Sequence, residues 1–141
     1  MVITVITGPP CSGKTTWVRE HAKPGDLIID FDLIAQALGS PESHDHPDWI
    51  REVTAAAWAA AIRRATQDRH KVAWIIDSRP RPERQQAYDR ARARHVRLTA
   101  SKDDLHRRAD TDSRSPQCHQ RIDEFLGAGS TAGRVEQRTR W

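Results

Sequence analysis

Gly8-Pro9-Pro10-Cys11-Ser12-Gly13-Lys14-Thr15 is the stretch that decides the fold. Its spacing, G-x-x-x-x-G-K-[ST], is the phosphate-loop pattern. The glycines let the backbone curl and turn its N–H groups inward onto phosphate oxygens. A helix starting at Lys14 adds the positive end of its dipole. Lys14 places an ammonium near the outer phosphates, and Thr15 offers a hydroxyl to Mg²⁺. The pattern has meaning only between a strand and a helix, and both flanks comply. Val2-Ile3-Thr4-Val5-Ile6-Thr7 is a β-branched run ending at glycine, which predicts a buried strand. Lys14 to His21 predicts a helix, stopped by Lys23-Pro24-Gly25. Gly8, Pro9, Pro10, Cys11, Ser12, Gly13, Lys14, Thr15 and Thr16 are therefore the expected contacts for ATP or another nucleoside triphosphate.

Outward from the loop, strands alternate with helices. Leu27-Ile28-Ile29 is a second apolar run, followed by Asp30-Phe31-Asp32 and a short helix over Leu33 to Leu38. Glu42 to Asp48 is a polar loop. A long helix is predicted from about Trp49 to Arg69, because Trp49, Ile50, Val53, Ala57, Trp58, Ala61 and Ile62 recur at helical spacing. Val72 to Ile76 is a third strand closed by Asp77, and Pro82 to about Ala93 a polar helix. His95 to Leu98 is a weaker fourth strand. Ser101-x-x-Asp104 has the form of a capping box, and Pro116 to Leu126 reads as a helix stopped by Gly127. The expectation is an α/β P-loop kinase fold, with a parallel sheet of about four strands flanked by helices and a short arginine-bearing lid. Residues 1–127 form the domain, and 128–141 read as a polar C-terminal tail.

The 141 residues fit one domain, and 37% hydrophobic with 30% charged residues is a soluble balance on the polar side. No run of apolar residues is long enough to predict a membrane span. Met1 to Thr4 reads as a first strand and not as a signal peptide. Of the two cysteines, Cys11 lies inside the loop, where a disulfide would obstruct a ligand, so reduced thiols and a cytoplasmic setting are expected. Net charge is +4, and between Arg79 and Arg121 twelve Lys/Arg face six acids. That excess would draw a phosphate-rich ligand; it is equally the pattern of a solvated, arginine-rich surface. A monomer fits this size.

Ligands of parallel sheets collect beyond the carboxyl ends of the strands, which selects the acids found there. Asp77 ends an apolar run and would orient Mg²⁺ opposite Thr15. Asp32, just past the second strand, could accept a proton from an acceptor hydroxyl, with Asp30 competing for that role. Arg108 and Arg114, in a segment broken by Asp110 and Asp112, are the expected lid arginines stabilising transferred charge. His44-Asp45-His46 lacks a complete ligand set and reads as a surface loop. The helix N-terminus should favour a thiolate at Cys11.

Gly8 to Glu20, Lys23-Pro24-Gly25 with Asp32 beyond, and Asp77-Ser78 followed by Pro82-Glu83-Arg84 together resemble the phage-type polynucleotide 5′-hydroxyl kinases. The resemblance implies an adenylate-kinase-like core with a lid. It gives Lys14 and Thr15 to phosphate and Mg²⁺, Asp32 to the base, Asp77 to the metal and acceptor side, and Arg108 or Arg114 to the lid. That family often carries an arginine three residues after the base, gripping the acceptor's phosphate; here the position is Ala35. The acceptor hydroxyl is then expected on a nucleic acid 5′ end, a nucleoside, a hydroxymethylated base or another small alcohol. Two other functions fit the same motifs: a nucleotide switch acting on a protein partner, and a nucleic-acid-binding module with a remnant nucleotide site.

Overall fold

In a computed structural model, which describes residues 2–68, 71–127 and 135–138, the chain folds as one parallel sheet between helices. The elements run β1 (Val2–Thr7), α1 (Lys14–His21), β2 (Leu27–Ile29), α2 (Phe31–Ala37), α3 (Asp48–Gln67) and β3 (Val72–Ile76). They continue as α4 (Pro82–Arg90), β4 (Arg94–Thr99), α5 (Lys102–Thr111), α6 (Pro116–Gly127) and β5 (Val135–Arg138). The sheet order is β2-β3-β1-β4-β5, with every pairing parallel.

The central strands are apolar on both faces because helices cover both. Alternation along β1 and β3 divides the core in two. Ile3, Val5, Ala73 and Ile75 pack with Ile29 against Ile62 and Ala65 of α3 and Tyr88 of α4. Ile6 and Ile76 turn the other way, onto Trp17 and Val18 of α1 together with Val96 and Leu98. A third cluster sits at the carboxyl end of the sheet: Cys11 and Ala100 with Leu105 and Ala109 of α5, and Cys118 and Ile122 of α6. This last cluster attaches the α5–α6 pair to the phosphate loop.

The fold differs from the expectation in two places. The sheet has five strands, because Val135–Arg138, within the segment read as a tail, pairs with β4. An edge strand is held by backbone hydrogen bonds, so it can form without the apolar run that marks a central strand. The remainder of 128–141, and Arg69 at the expected end of the long helix, lie outside the described residues. The short helix also starts earlier than Leu33, at Phe31, because Asp30 caps it: its Oδ1 accepts from the Asp32 N–H at 3.1 Å. Ser101 caps α5 as its sequence predicted, accepting from the Asp104 N–H at 3.2 Å.

Candidate active site

The loop between β1 and α1 leaves the sheet at Gly8, whose N–H donates to the Ser78 carbonyl at 3.2 Å. Gly8 has a φ of 146°, and a Cβ there would stand 2.3 Å from the Leu98 carbonyl oxygen. No side chain fits this crossing between strands. Gly8→Ala should therefore cost about 1–3 kcal/mol through the backbone conformation alone, with steric overlap added. Chemical denaturation of variant and parent should show the loss; an unchanged midpoint would contradict the close approach.

Lys14 closes the loop on itself. Its Nζ donates to the carbonyls of Gly8 at 3.0 Å and Pro9 at 2.7 Å. Burial pushes its ammonium down to about 8, against the pull of nearby Asp30. These carbonyl contacts hold the ammonium in the place where phosphates would otherwise neutralise it.

Asp30 and Asp32 stand two residues apart at the end of β2 and are driven in opposite directions. Asp30 is buried, and its Oδ2 accepts from the Thr15 hydroxyl at 3.3 Å. Burial, followed by the charge of Asp32, raises its pKa. Asp32 lies in the first turn of α2, and both its oxygens are engaged by imidazoles. His46 Nε2 reaches Oδ1 at 2.6 Å, and His44 Nδ1 reaches Oδ2 at 3.0 Å. Burial disfavours its charge, but the hydrogen bonds from His44 and His46 outweigh that and hold the carboxyl below the usual range. Divergent environments for neighbouring acids are how a site separates a charge-holding group from a working one.

His44 and His46 are the partners of Asp32 that the sequence reading missed. It placed them on a surface loop, whereas the loop folds back over α2. His46 is buried and its Nδ1 lies 2.7 Å from the Ser40 hydroxyl. No periodic spacing links residues 44 and 46 to 32. Only the short chain reach between them hinted at contact.

Asp77, at the end of β3, is fully enclosed. Its Oδ2 accepts from Arg84 Nε at 2.7 Å and from the Tyr88 hydroxyl at 2.9 Å. Arg84 Nη2 reaches Oδ1 at 3.3 Å. Arg84 and Tyr88 are one turn apart on α4, and the Arg84 guanidinium also lies 4.7 Å from the Trp58 ring centroid. Arg108 and Arg114 separate. Arg108 is buried, and its Nη1 donates to the Cys11 carbonyl at 3.0 Å. It therefore braces the back of the phosphate loop, a correction to its expected place beside Arg114. The reason is that the α5 face carrying Leu105, Arg108 and Ala109 is the one packed inward. Arg114 lines the cavity, 4.0 Å from Asp112.

The Cys11 expectation also reverses. The thiol is buried against Cys118, and burial pushes it up to about 11; the opposing charge of Arg114 does not compensate. At pH 8 such a thiol is only about a thousandth ionised. Alkylation of Cys11 by iodoacetamide at pH 8 should thus be at least about 100-fold slower than that of a small free thiol. The rate should climb toward pH 11. Peptide mapping that found rapid labelling of Cys11 at pH 8 would overturn this.

One cavity of about 840 Å³ is lined by Pro10 to Thr16 of the phosphate loop, Asp30, Asp32, His44, Asp77 and Arg114, among others; His46, Arg84, Tyr88 and Arg108 support it from behind. Among the described residues, no group of three or more His, Cys, Asp or Glu forms a metal cage, and no helix is long and apolar enough to cross a membrane. A strand-end phosphate loop, a parallel sheet and acids at two further strand ends define a P-loop fold of the kinase type.

The comparisons agree. Residues 3–124 match the model of an AAA domain, and the chain belongs to that family. A candidate kinase from Chloroflexus aurantiacus superposes with a TM-score of 0.66 at 18% identity, over 97% of this chain and 86% of the other. The gluconokinase of Sinorhizobium meliloti gives 0.63 at 17%, over 97% and 82%. The shikimate kinase of Acinetobacter baumannii, solved with shikimate, gives 0.62 at 19%, over 91% and 75%. At these identities the likeness is one of fold. No curated protein sequence matches the chain.

Proposed function

We propose that the chain is a kinase that moves the γ-phosphoryl group of ATP, or a similar nucleoside triphosphate, onto a hydroxyl. The observation that carries this is the shared cavity: Lys14 of the phosphate loop and the Asp32 carboxylate open onto the same volume, with Arg114 in its wall. A nucleotide switch needs the loop and a metal-side acid, but has no use for a second carboxylate held by two imidazoles.

Mg²⁺ suits the oxygen donors present, since the Thr15 hydroxyl and an Asp30 oxygen already lie 3.3 Å apart beside the loop. Thr15 and Asp30 would hold it; Asp77, expected from the sequence to orient the metal, has both oxygens engaged by Arg84 and one of them also by Tyr88. When bound, the metal would neutralise charge on the outer phosphates. Lys14 would exchange its carbonyl partners for phosphate oxygens. Arg114 would balance charge on the group in flight. Asp32 would supply the basic pole toward which the hydroxyl proton moves.

The acceptor is best read as a small hydroxyl compound. Ala35, standing where the polynucleotide kinases often place a phosphate-gripping arginine, is fully buried in α2. Two of the similar folds are described as kinases of small polyols, gluconate and shikimate. Nucleosides, hydroxymethylated bases and nucleic acid 5′ ends belong in the same trial. Transfer from radiolabelled ATP should be followed over 5′-hydroxyl oligonucleotides, nucleosides, hydroxymethylated DNA, gluconate and shikimate. A labelled acceptor supports the proposal. ATP bound with no acceptor labelled would overturn it, in favour of a switch or a nucleic-acid-binding module.

A further inference from the structure

The two imidazoles on Asp32 are not equivalent. His46 is enclosed and chained inward: the Glu42 N–H donates to the Ser40 hydroxyl at 3.3 Å, and that hydroxyl lies 2.7 Å from His46 Nδ1. An ionised carboxylate only accepts, so His46 Nε2 carries the proton toward Asp32 and Nδ1 accepts from Ser40. This chain fixes the orientation of Asp32 from beneath. His44 lies on the open side. Its side chain is 37% exposed, and it lines the same cavity as Lys14. Its Nδ1–H points at Asp32 Oδ2, so the ring's basic lone pair is on Nε2. Each oxygen of Asp32 thus accepts from one imidazole, which orients both rings and leaves His44 Nε2 as a basic atom on the side of the cavity.

We propose that His44, oriented by Asp32, is the catalytic residue that receives the proton of the acceptor hydroxyl. The proposal rests on the phosphotransfer reading above. In the step, the hydroxyl oxygen forms its bond to the γ-phosphorus. The bond from that phosphorus to the β–γ bridging oxygen breaks, and its electron pair leaves on the diphosphate. The hydroxyl proton passes to His44 Nε2, giving an imidazolium held against Asp32, and is later released to water. The logic is that of a base oriented by a third group behind it.

The test is His44→Gly, with imidazole supplied from solution. The variant should keep Mg-ATP affinity and acceptor KM within about threefold of the parent, while kcat falls by about 10²-fold or more. Imidazole at roughly tens of millimolar should restore at least about tenfold, and more basic methylimidazoles of similar size should restore more. A merely structural role for His44 would not give a rescue that tracks the basicity of the added ring. Turnover within about threefold of the parent, or a loss that no imidazole lifts, would overturn the proposal and return the proton to Asp32 itself. A parent chain that neither transfers phosphate nor turns over Mg-ATP would sink both readings. An active parent with an indifferent variant sinks only this one.

Discussion

Replacing Lys14 by alanine is expected to lower phosphoryl transfer by about 10³-fold or more and to weaken Mg-ATP binding severely. The ammonium does two things that no neighbour can replace. In the free protein it ties the loop together through the Gly8 and Pro9 carbonyls. In the complex it would face the outer phosphates. Calorimetric titration of parent and variant with Mg-ATP measures the loss of binding, and single-turnover transfer the loss of catalysis. The pH dependence carries a sign of its own. With Lys14 pushed down to about 8 by burial, the group is largely neutral in the free protein at pH 9. Phosphate favours its charged form, so binding must take up a proton there, and affinity must fall as pH rises above about 8. Titrations at pH 9 in buffers of different ionisation enthalpy should register this uptake, and titrations at pH 6.5 should not. Unchanged affinity in the alanine variant would remove the basis for a nucleotide at this loop.

The second large effect is expected at Asp32. Asp32→Asn keeps the shape and should leave Mg-ATP binding near that of the parent, because the Thr15 hydroxyl pairs with Asp30, whereas the oxygens of Asp32 pair with His44 and His46. Transfer should fall by about 10²–10⁴-fold. The amide offers one acceptor and one donor where two N–H groups point at it, so one of His44 and His46 must turn or change tautomer. A nucleotide switch would be nearly indifferent to the change. Retained transfer would therefore remove Asp32 from the chemistry of the step, and lost ATP binding would assign Asp32 to the nucleotide instead.

How far these residues could be read in advance depends on the distance over which each is specified. The strand, loop and first helix were legible because the motif is local and each part constrains the next. The long helix was legible because Trp58, Ile62 and their neighbours repeat at helical spacing. The Ser101 cap follows from a four-residue pattern. β5 escaped because an edge strand is specified by its partner's backbone more than by its own side chains. The histidines escaped because their positions depend on where the Glu42–Asp48 loop lands, a tertiary outcome. Cys11 was misjudged for the same reason. Its helix end is visible in sequence, but the cover supplied by Cys118, more than a hundred residues away, is not. The separation of Arg108 from Arg114 required knowing which face of α5 turns inward.

That inward face has a consequence for redesign. Arg108 grips the carbonyl of Cys11, and the side chain of Cys11 in turn completes the small cluster with Leu105, Ala109, Cys118 and Ile122. The α5–α6 helical hairpin and the phosphate loop it packs on are therefore one transplantable cassette. A donor hairpin moved onto this scaffold without its own residue at position 11 would arrive with a hole or a clash at its base. The loop would then lose the brace that keeps its amides aimed.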